Sequence, residues 1–220
     1  MAISENIQQL REVLPENVAL IAVSKTKPIA QLMEAYDAGQ RVFGENKVQE
    51  MEAKWSEMPK DIEWHMIGHV QRNKVKYMAP FVTLIHAVDS MRLLKEIDKQ
   101  AKKNDRVINC LLQIKIADED SKFGMSEEEA SRLVADEVLN NLKNVSIVGL
   151  MGMATFTENQ DQIRTEFKRL KRIFDTFRST QHNFNTLSMG MSGDYPIAIE
   201  EGSTMIRVGS AIFGARNYNT

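Results

Sequence analysis

Residues 18–25 read VALIAVSK, a short apolar run that ends on a lysine, and similar runs return along the whole chain. Most of them are nearly continuously apolar and rich in β-branched residues, which is typical of strands buried on both faces of a parallel sheet. The eight runs occupy residues 18–25, 41–45, 62–68, 82–89, 107–116, 145–153, 185–190 and 205–214. Stretches of helical character lie between them, so the pattern predicts alternating strands and helices.

The stretches between the runs carry the sequence signals of helices. Within residues 163–177, apolar side chains recur at the spacing of one helical face. Ser126 and Glu129 match a capping box, which predicts that a helix begins there. Ahead of the first run, residues 3–14 predict an N-terminal helix with Ser4 as its candidate N-cap.

Eight strands that alternate with helices favour a (β/α)8 barrel over an open doubly wound sheet, which usually has five or six strands. A flavodoxin-like split into two lobes is the alternative, but no linker rich in Gly, Ser or Pro and no break in composition supports it. We therefore predict an α/β protein in which residues 1–220 form a single (β/α)8 TIM-barrel domain with an extra N-terminal helix.

The composition is that of an ordinary soluble globular protein, with 43% hydrophobic and 26% charged residues. Lys and Arg number 28 against 30 Asp and Glu, and this near-neutral balance argues against nucleic acid or a membrane surface as the main partner. No apolar run approaches the 18 residues of a membrane span, and the single cysteine, Cys110, excludes an internal disulfide. These observations predict a cytoplasmic protein.

The loops after the last two predicted strands are the most unusual stretches of the chain. In a (β/α)8 barrel, reactive groups lie at the carboxyl ends of the strands, and phosphate often binds after strands 7 and 8. The first loop contains Ser192 between two glycines, where its side chain is suited to cap the following helix and to offer a hydroxyl. The second contains Gly209 and Ser210, where a ligand can approach main-chain N–H groups closely. Together the two loops predict a phosphate site.

Three side chains at other predicted strand ends are candidates for ligand contact. Lys25 is either a solvated strand terminus or an amine that emerges from the barrel core, where desolvation makes it nucleophilic toward a carbonyl. Asn46 either hydrogen-bonds a ligand or caps the next helix. Arg207 lies in an apolar strand, so its guanidinium requires an acceptor and is expected to face the ligand end.

Other polar features favour structural interpretations. His65 and His69 have a zinc-like spacing only on a helix, and the run around them predicts a strand, so we expect no metal site. The basic residues of the helix near residue 168 lie mostly opposite its apolar stripe, as a solvated face would. Cys110 falls in an apolar strand and is predicted to be a buried core residue.

Six motifs, taken in order, resemble the pyridoxal-phosphate homeostasis protein family over residues 18–216. They are AVSKTKP, FGENKVQE, EWHMIGHVQRNK, SKFGM, LSMGMSGD and MIRVGSAIFGAR. The resemblance implies a single barrel of the alanine-racemase N-terminal type, the type III fold of proteins that bind pyridoxal 5′-phosphate (PLP). It also implies that PLP is the cofactor and that turnover is weak or absent.

The resemblance assigns roles to the residues in these motifs. It implies that Lys25 holds PLP through a Schiff base and that Arg207 points at the pyridine nitrogen. Further implied contacts to PLP are Asn46 beside the ring, and Ser192 with the backbone of Gly209 and Ser210 at the 5′-phosphate. Lys74 and Lys122 match family lysines to which we assign no role, and His69 departs from the family pattern at the rim of the pocket.

The sequence therefore leads to a main hypothesis and two alternatives. The main one is a monomeric PLP carrier without catalytic residues, which buffers PLP and hands it to PLP-dependent apo-enzymes. A guanidinium facing the pyridine nitrogen weakens the ring as an electron sink, and 220 residues leave no room for the tyrosine-bearing second domain of related racemases. The alternatives are a weak PLP-dependent amino-acid racemase and a Schiff-base aldolase that works without PLP.

Overall fold

A computed structural model describes residues 2–117, 123–180 and 183–215, and its strands form a closed parallel barrel. Each strand pairs with its neighbours in chain order, and β8 closes the ring on β1 with Ile206 opposite Leu20. The strands are β1 Ala19–Val23, β2 Val42–Glu45, β3 Glu63–Met66, β4 Val82–Val88, β5 Ile108–Gln113, β6 Val145–Met151, β7 Thr186–Met191 and β8 Met205–Val208. The predicted TIM-barrel fold is confirmed.

Helices precede, separate and follow the strands. They are α1 Ile3–Val13, α2 Ile29–Asp37, α3 Val48–Glu57, α4 Val75–Met78, α5 Met91–Lys103, α6 Glu127–Ala135, α7 Gln160–Arg178, α8 Tyr195–Glu200 and α9 Ser210–Phe213. Two short 3-10 helices are also present: Arg72–Lys74 precedes α4 and Glu137–Asn141 follows α6. The predicted N-terminal helix is α1, which packs beside α2 and α9. No helix in the described part of the chain is both long and apolar enough to cross a membrane.

The eighth apolar run is part strand and part helix, which corrects the prediction of one continuous strand over residues 205–214. Pairing of β8 with β1 ends where Val208 lies opposite Ala22. Beyond that point the chain turns at Gly209, whose carbonyl accepts the Phe213 N–H at 2.9 Å. The main-chain groups of α9 are thus bonded within a helix, and the helix N-terminus faces the carboxyl end of the barrel.

Of the two predicted helix starts, one is confirmed and one is wrong. Ser126 Oγ accepts the Glu129 N–H at 3.1 Å, and the Glu129 carboxylate accepts the Ser126 N–H at 2.8 Å, as in a capping box. Ser4, however, lies inside α1. The N-cap is Ala2, because its carbonyl already accepts the Asn6 N–H, so helical bonding begins two residues earlier than predicted.

The core has an outer layer between strands and helices and an inner layer inside the barrel. The apolar stripe of α7 lies in the outer layer, where Phe167 and Leu170 are fully buried, and Cys110 is buried in the same layer. The inner layer combines a small apolar cluster, which includes Leu111 and Met151, with a set of buried polar side chains described below. Three cations on the exposed face of α7 pair with carboxylates: Arg164, Lys171 and Arg172.

Candidate functional site

A cavity of about 650 Å³ lies at the carboxyl end of the barrel. Its volume is in the range of cofactor pockets. Its lining includes every residue proposed from the sequence as a ligand contact: Lys25, Asn46, Ser192, Arg207, Gly209 and Ser210. These residues come from the ends of four strands, and the closing of the barrel brings them together.

Lys25 lies two residues beyond the end of β1 and is half-buried. Val23 lines the same cavity, as expected for residues two apart, which point to one side of an extended chain. Lys27 lies in the same loop after β1. Its ammonium donates to the Phe213 carbonyl at 2.9 Å and ties the loop after β1 to the end of α9.

Ser192 bridges the two glycine-containing loops. Its Oγ accepts the N–H of Gly209 at 3.2 Å and that of Ala211 at 3.4 Å, so it caps the start of α9. The expectation that it caps the helix that follows it is wrong, because α8 has Asp194 as its N-cap. Because Ser192 Oγ already accepts two hydrogen bonds, its O–H group is the part that can bond to a ligand, as a donor.

The wall around Gly209 is shaped for a close approach to the main chain. A Cβ added at Gly209, which lines the cavity, would lie 3.4 Å from Val23, in contact with the end of β1. One added at Gly193 would meet nothing within 4 Å. The two glycines, the Ser192 hydroxyl and the amides at the start of α9 therefore fit a phosphate group.

Arg207 reaches the cavity floor from inside the barrel and is only 4% exposed. Its Nη1 donates to the Ser188 carbonyl at 2.9 Å and to Ser188 Oγ at 2.6 Å, and its Nη2 donates to the Gly152 carbonyl at 3.0 Å. Burial lowers the pKa of Arg207 to about 10, and Asp194 partly offsets this effect. The guanidinium is thus protonated at neutral pH.

A chain of buried side chains leads from Arg207 across the barrel interior. His86 Nδ1 lies 3.0 Å from Ser188 Oγ, and His86 Nε2 lies 3.1 Å from His65 Nδ1. Since Ser188 Oγ accepts from Arg207, its own O–H is best assigned as the donor to His86 Nδ1, and His86 then donates through Nε2–H to His65 Nδ1. Burial lowers the pKa of both imidazoles, that of His65 to about 3, so both are neutral.

His65 and His69 lie in different surroundings. His65 belongs to β3 and faces His86 inside the barrel. His69 lies outside it, with Nδ1 3.4 Å from Asp89 Oδ2 and its ring stacked on Phe123 at 4.8 Å between centroids. Among the described residues, no group of three or more His, Cys, Asp or Glu side chains is placed to hold a metal ion.

Asn46 has a buried polar atom that the surrounding protein does not satisfy. Its Oδ1 has no hydrogen-bond partner within the described ranges. The cap interpretation is wrong, because Lys47 is the N-cap of α3 and no side chain caps that helix. Buried acceptors in folded proteins are nearly always paired, so a donor supplied by a ligand would complete Asn46.

Several residues near the site were not found from the sequence. Phe156 lines the cavity, and it is held by a loop whose Thr155 donates from N and Oγ1 to the buried Glu166 carboxylate at 2.6 and 2.7 Å. The sequence analysis also did not predict His86 and Ser188 as residues near the site. The sequence carries one signal for them. Side chains alternate between the two faces of a strand, so the alternation separates the residues that point into the barrel from those that point out.

Of the two family lysines without an assigned role, Lys74 lies away from the cavity lining and Lys122 lies outside the described residues. Lys74 ends a 3-10 helix with its ammonium 5.7 Å from the centre of the Tyr77 ring. Tyr195 borders a separate, more open groove of about 860 Å³ between α1, α2 and α9.

The chain is similar to known proteins along nearly its whole length. The family model for the N-terminal domain of alanine racemase matches residues 1–217. A pyridoxal phosphate homeostasis protein of Vibrio alginolyticus is 40% identical over 210 residues, which are 93% of this chain and 89% of the relative. The protein of the same name in Escherichia coli K12 is 37% identical over 232 residues, covering 99% and 98%.

Solved structures show the same fold. PipY of Synechococcus elongatus without PLP matches with a TM-score of 0.90 and 37% identity, over 96% of this chain and all of that one. The PLP-bound form of PipY matches with a TM-score of 0.87. An alanine racemase of Clostridium difficile, 13% identical with a TM-score of 0.79, shares the fold over 57% of its length. Together with the family match, these likenesses show that this chain belongs to the pyridoxal phosphate homeostasis protein family.

Proposed function

We propose that this chain binds PLP reversibly through Lys25 and serves to buffer or deliver it, with little or no catalysis. The observation that carries the proposal is the convergence of Lys25, Asn46, Ser192, Arg207, Gly209 and Ser210 on one cofactor-sized cavity. The names of its relatives and the PLP-bound structure of PipY support the same function.

Each wall of the cavity matches one part of PLP. Ser192, Gly209 and Ser210 would hold the 5′-phosphate, because they combine a hydroxyl with main-chain amides. Arg207 would hold the ring nitrogen, and Asn46 would accept a hydrogen bond that none of the described residues supplies. Lys25 would provide the amine, which is half-buried and so loses part of its hydration.

The residues around the ring position explain why binding need not lead to turnover. When bound, PLP supplies an aldehyde that condenses with an amine and a ring that withdraws electrons best when its nitrogen is protonated. Arg207 is protonated at neutral pH and donates hydrogen bonds, so its partner must be an acceptor. The two buried histidines behind Arg207 are neutral and do not compensate its charge. A carrier can therefore hold PLP without activating it.

The experiment that tests the proposal combines titration with mapping. We expect purified protein to change the absorbance of added PLP in a saturable way and to retain PLP through desalting. Reduction with borohydride followed by peptide mass analysis should place the modification on Lys25. A protein that leaves the PLP spectrum unchanged, or that is modified on other lysines with Lys25 intact, would contradict the proposal.

The racemase alternative draws support only from a distant likeness in fold. It requires solvent deuterium to enter the α-position of an amino acid at an enzymatic rate, well above the rate with free PLP. For the carrier we propose a cytoplasmic monomer that passes PLP to PLP-dependent apo-enzymes. Transfer of PLP to an apo-enzyme faster than from free solution at equal free PLP concentration would support delivery over buffering alone.

Replacing Ser192 by alanine tests the phosphate assignment. We expect the Kd for PLP to rise roughly ten- to a hundredfold, because a hydrogen bond to a charged group contributes about 1.5–3 kcal/mol. Pyridoxal is the matched control, since it keeps the aldehyde and ring but lacks the phosphate. Its Kd should be the same for both proteins. An equal loss of affinity for both ligands would show that Ser192 acts on the shape of the loop and not on the phosphate.

A further inference from the structure

The residue after Lys25 has an unusual backbone conformation. Thr26 has a φ of +63°, in the left-handed region that β-branched residues avoid. The Lys27 N–H donates to the Ser24 carbonyl at 3.1 Å, which closes a tight turn with Lys25 and Thr26 in the middle. A positive φ at the third position of such a turn normally calls for Gly or Asn. The turn that carries Lys25 is therefore strained and must be held in place by its surroundings.

One turn of α3 supplies the groups that hold it. The Thr26 N–H donates to Glu50 Oε1 at 2.5 Å, and the same oxygen accepts from the Lys54 ammonium at 2.7 Å. Lys54 also donates to the Ser24 carbonyl at 2.8 Å. Glu50 and Lys54 are thus bonded to the residues on both sides of Lys25.

A second carboxylate completes the cluster. Glu45, at the end of β2, accepts from Lys54 at 2.7 Å and from Ser24 Oγ at 2.6 Å. Glu45 is fully buried and Lys54 is 5% exposed. A buried ammonium with three acceptors has little freedom to move, so the cluster is a rigid support. Neither Glu50 nor Lys54 lines the cavity, which assigns them no direct contact with a ligand.

We propose that Glu50 and Lys54 are positioning residues for Lys25: they hold the strained turn at Thr26 so that the Lys25 amine projects into the cavity. The inference depends on the proposed function, because it gives a reason for the strain only if Lys25 is the residue that meets PLP. It predicts that the support from Glu50 and Lys54 is needed because residue 26 is a threonine, which resists a positive φ.

The test is a rescue experiment with four proteins. Glu50→Ala removes the acceptor of the Thr26 N–H, and we expect the Kd for PLP to rise about tenfold. Thr26→Gly removes the strain, because glycine adopts a positive φ freely, and should bind within about twofold of the wild type. The double variant Glu50→Ala/Thr26→Gly should recover most of the lost affinity. Glu57→Ala, on the exposed last turn of α3, is the matched control and should bind as the wild type does.

A second measurement needs no PLP. In the protein without PLP, hydrogen exchange of the Thr26 amide should be slow in the wild type and at least about tenfold faster in Glu50→Ala. Glu50→Gln, which keeps an oxygen acceptor, should lie in between, and it replaces Glu50→Ala if that variant does not fold. Wild-type affinity in Glu50→Ala, or a double variant as weak as Glu50→Ala, would overturn the inference. Wild-type protein that does not bind PLP at Lys25 would instead overturn the proposed function.

Discussion

Replacing Lys25 by alanine is expected to abolish the covalent attachment of PLP. Lys25 is the lysine at the end of β1 in the cavity, and borohydride treatment of the Lys25→Ala protein should leave no PLP bound after denaturation. Weak binding without a covalent bond should persist, because the variant leaves Ser192 and the amides at the start of α9 intact. The measurement is absorbance during PLP titration, followed by mass analysis of the reduced protein.

The control for Lys25→Ala is a second lysine of the same cavity. Lys27 also lines it, but its ammonium donates to the Phe213 carbonyl. Lys27→Met should therefore still form the borohydride-stable adduct on Lys25, with at most a modest change in affinity. An adduct that survives in Lys25→Ala and disappears in Lys27→Met would reassign the attachment to Lys27 and would contradict the choice made from the sequence.

The barrel itself could be predicted because its signals are local. A continuous apolar run indicates a doubly buried strand wherever it occurs, and eight of them leave few topologies. The one clear error among the strands arose at residues 205–214, where strand and helix are both apolar. Composition does not distinguish them there. The strand ends where its pairing with β1 ends. That pairing joins distant parts of the chain, so no local pattern reveals it.

The cavity lining could be predicted for a similar reason. Parallel strands all end at the same rim, so Lys25, Asn46 and Ser192 must converge once the barrel closes. What they bond to could not be predicted. Whether Asn46 caps α3 or faces the cavity depends on a shift of one residue at the helix start, and that precision is beyond sequence patterns.

The supports behind the cavity depend on contacts between distant residues. His86 meets His65 across 21 positions and Ser188 across 102. Glu50 and Lys54 are recognisable in the sequence as a helical i, i+4 pair, which usually indicates a solvated surface pair. Their burial against the turn at Thr26 follows only from how α3 lies on β1 and β2. The residues that sequence patterns reveal least are therefore those that lie behind Arg207 and beside the turn that carries Lys25.

The two buried histidines should make folding stability depend strongly on pH. Burial lowers the pKa of His65 to about 3 and that of His86 well below its usual value. In the unfolded chain both take up a proton below about pH 6.5, so the unfolded state binds more protons than the folded state. Their contribution to stability is complete above about pH 6.5 and decreases as the pH falls. Each histidine should lower the free energy of unfolding by about 1.4 kcal/mol per pH unit below that point.

Urea unfolding between pH 7.5 and 5, followed by circular dichroism, measures this slope, and His65→Met should reduce it by about half even though the variant is less stable overall. Glu45 contributes in the opposite direction, because burial raises its pKa and the folded state binds its proton first. That contribution is common to all variants and cancels in the comparison. His69→Gln, at a half-exposed residue that pairs with Asp89, keeps both buried imidazoles and should keep the wild-type slope. If His65→Met and the wild type show equal slopes, the buried histidine pair is not the source of the acid sensitivity.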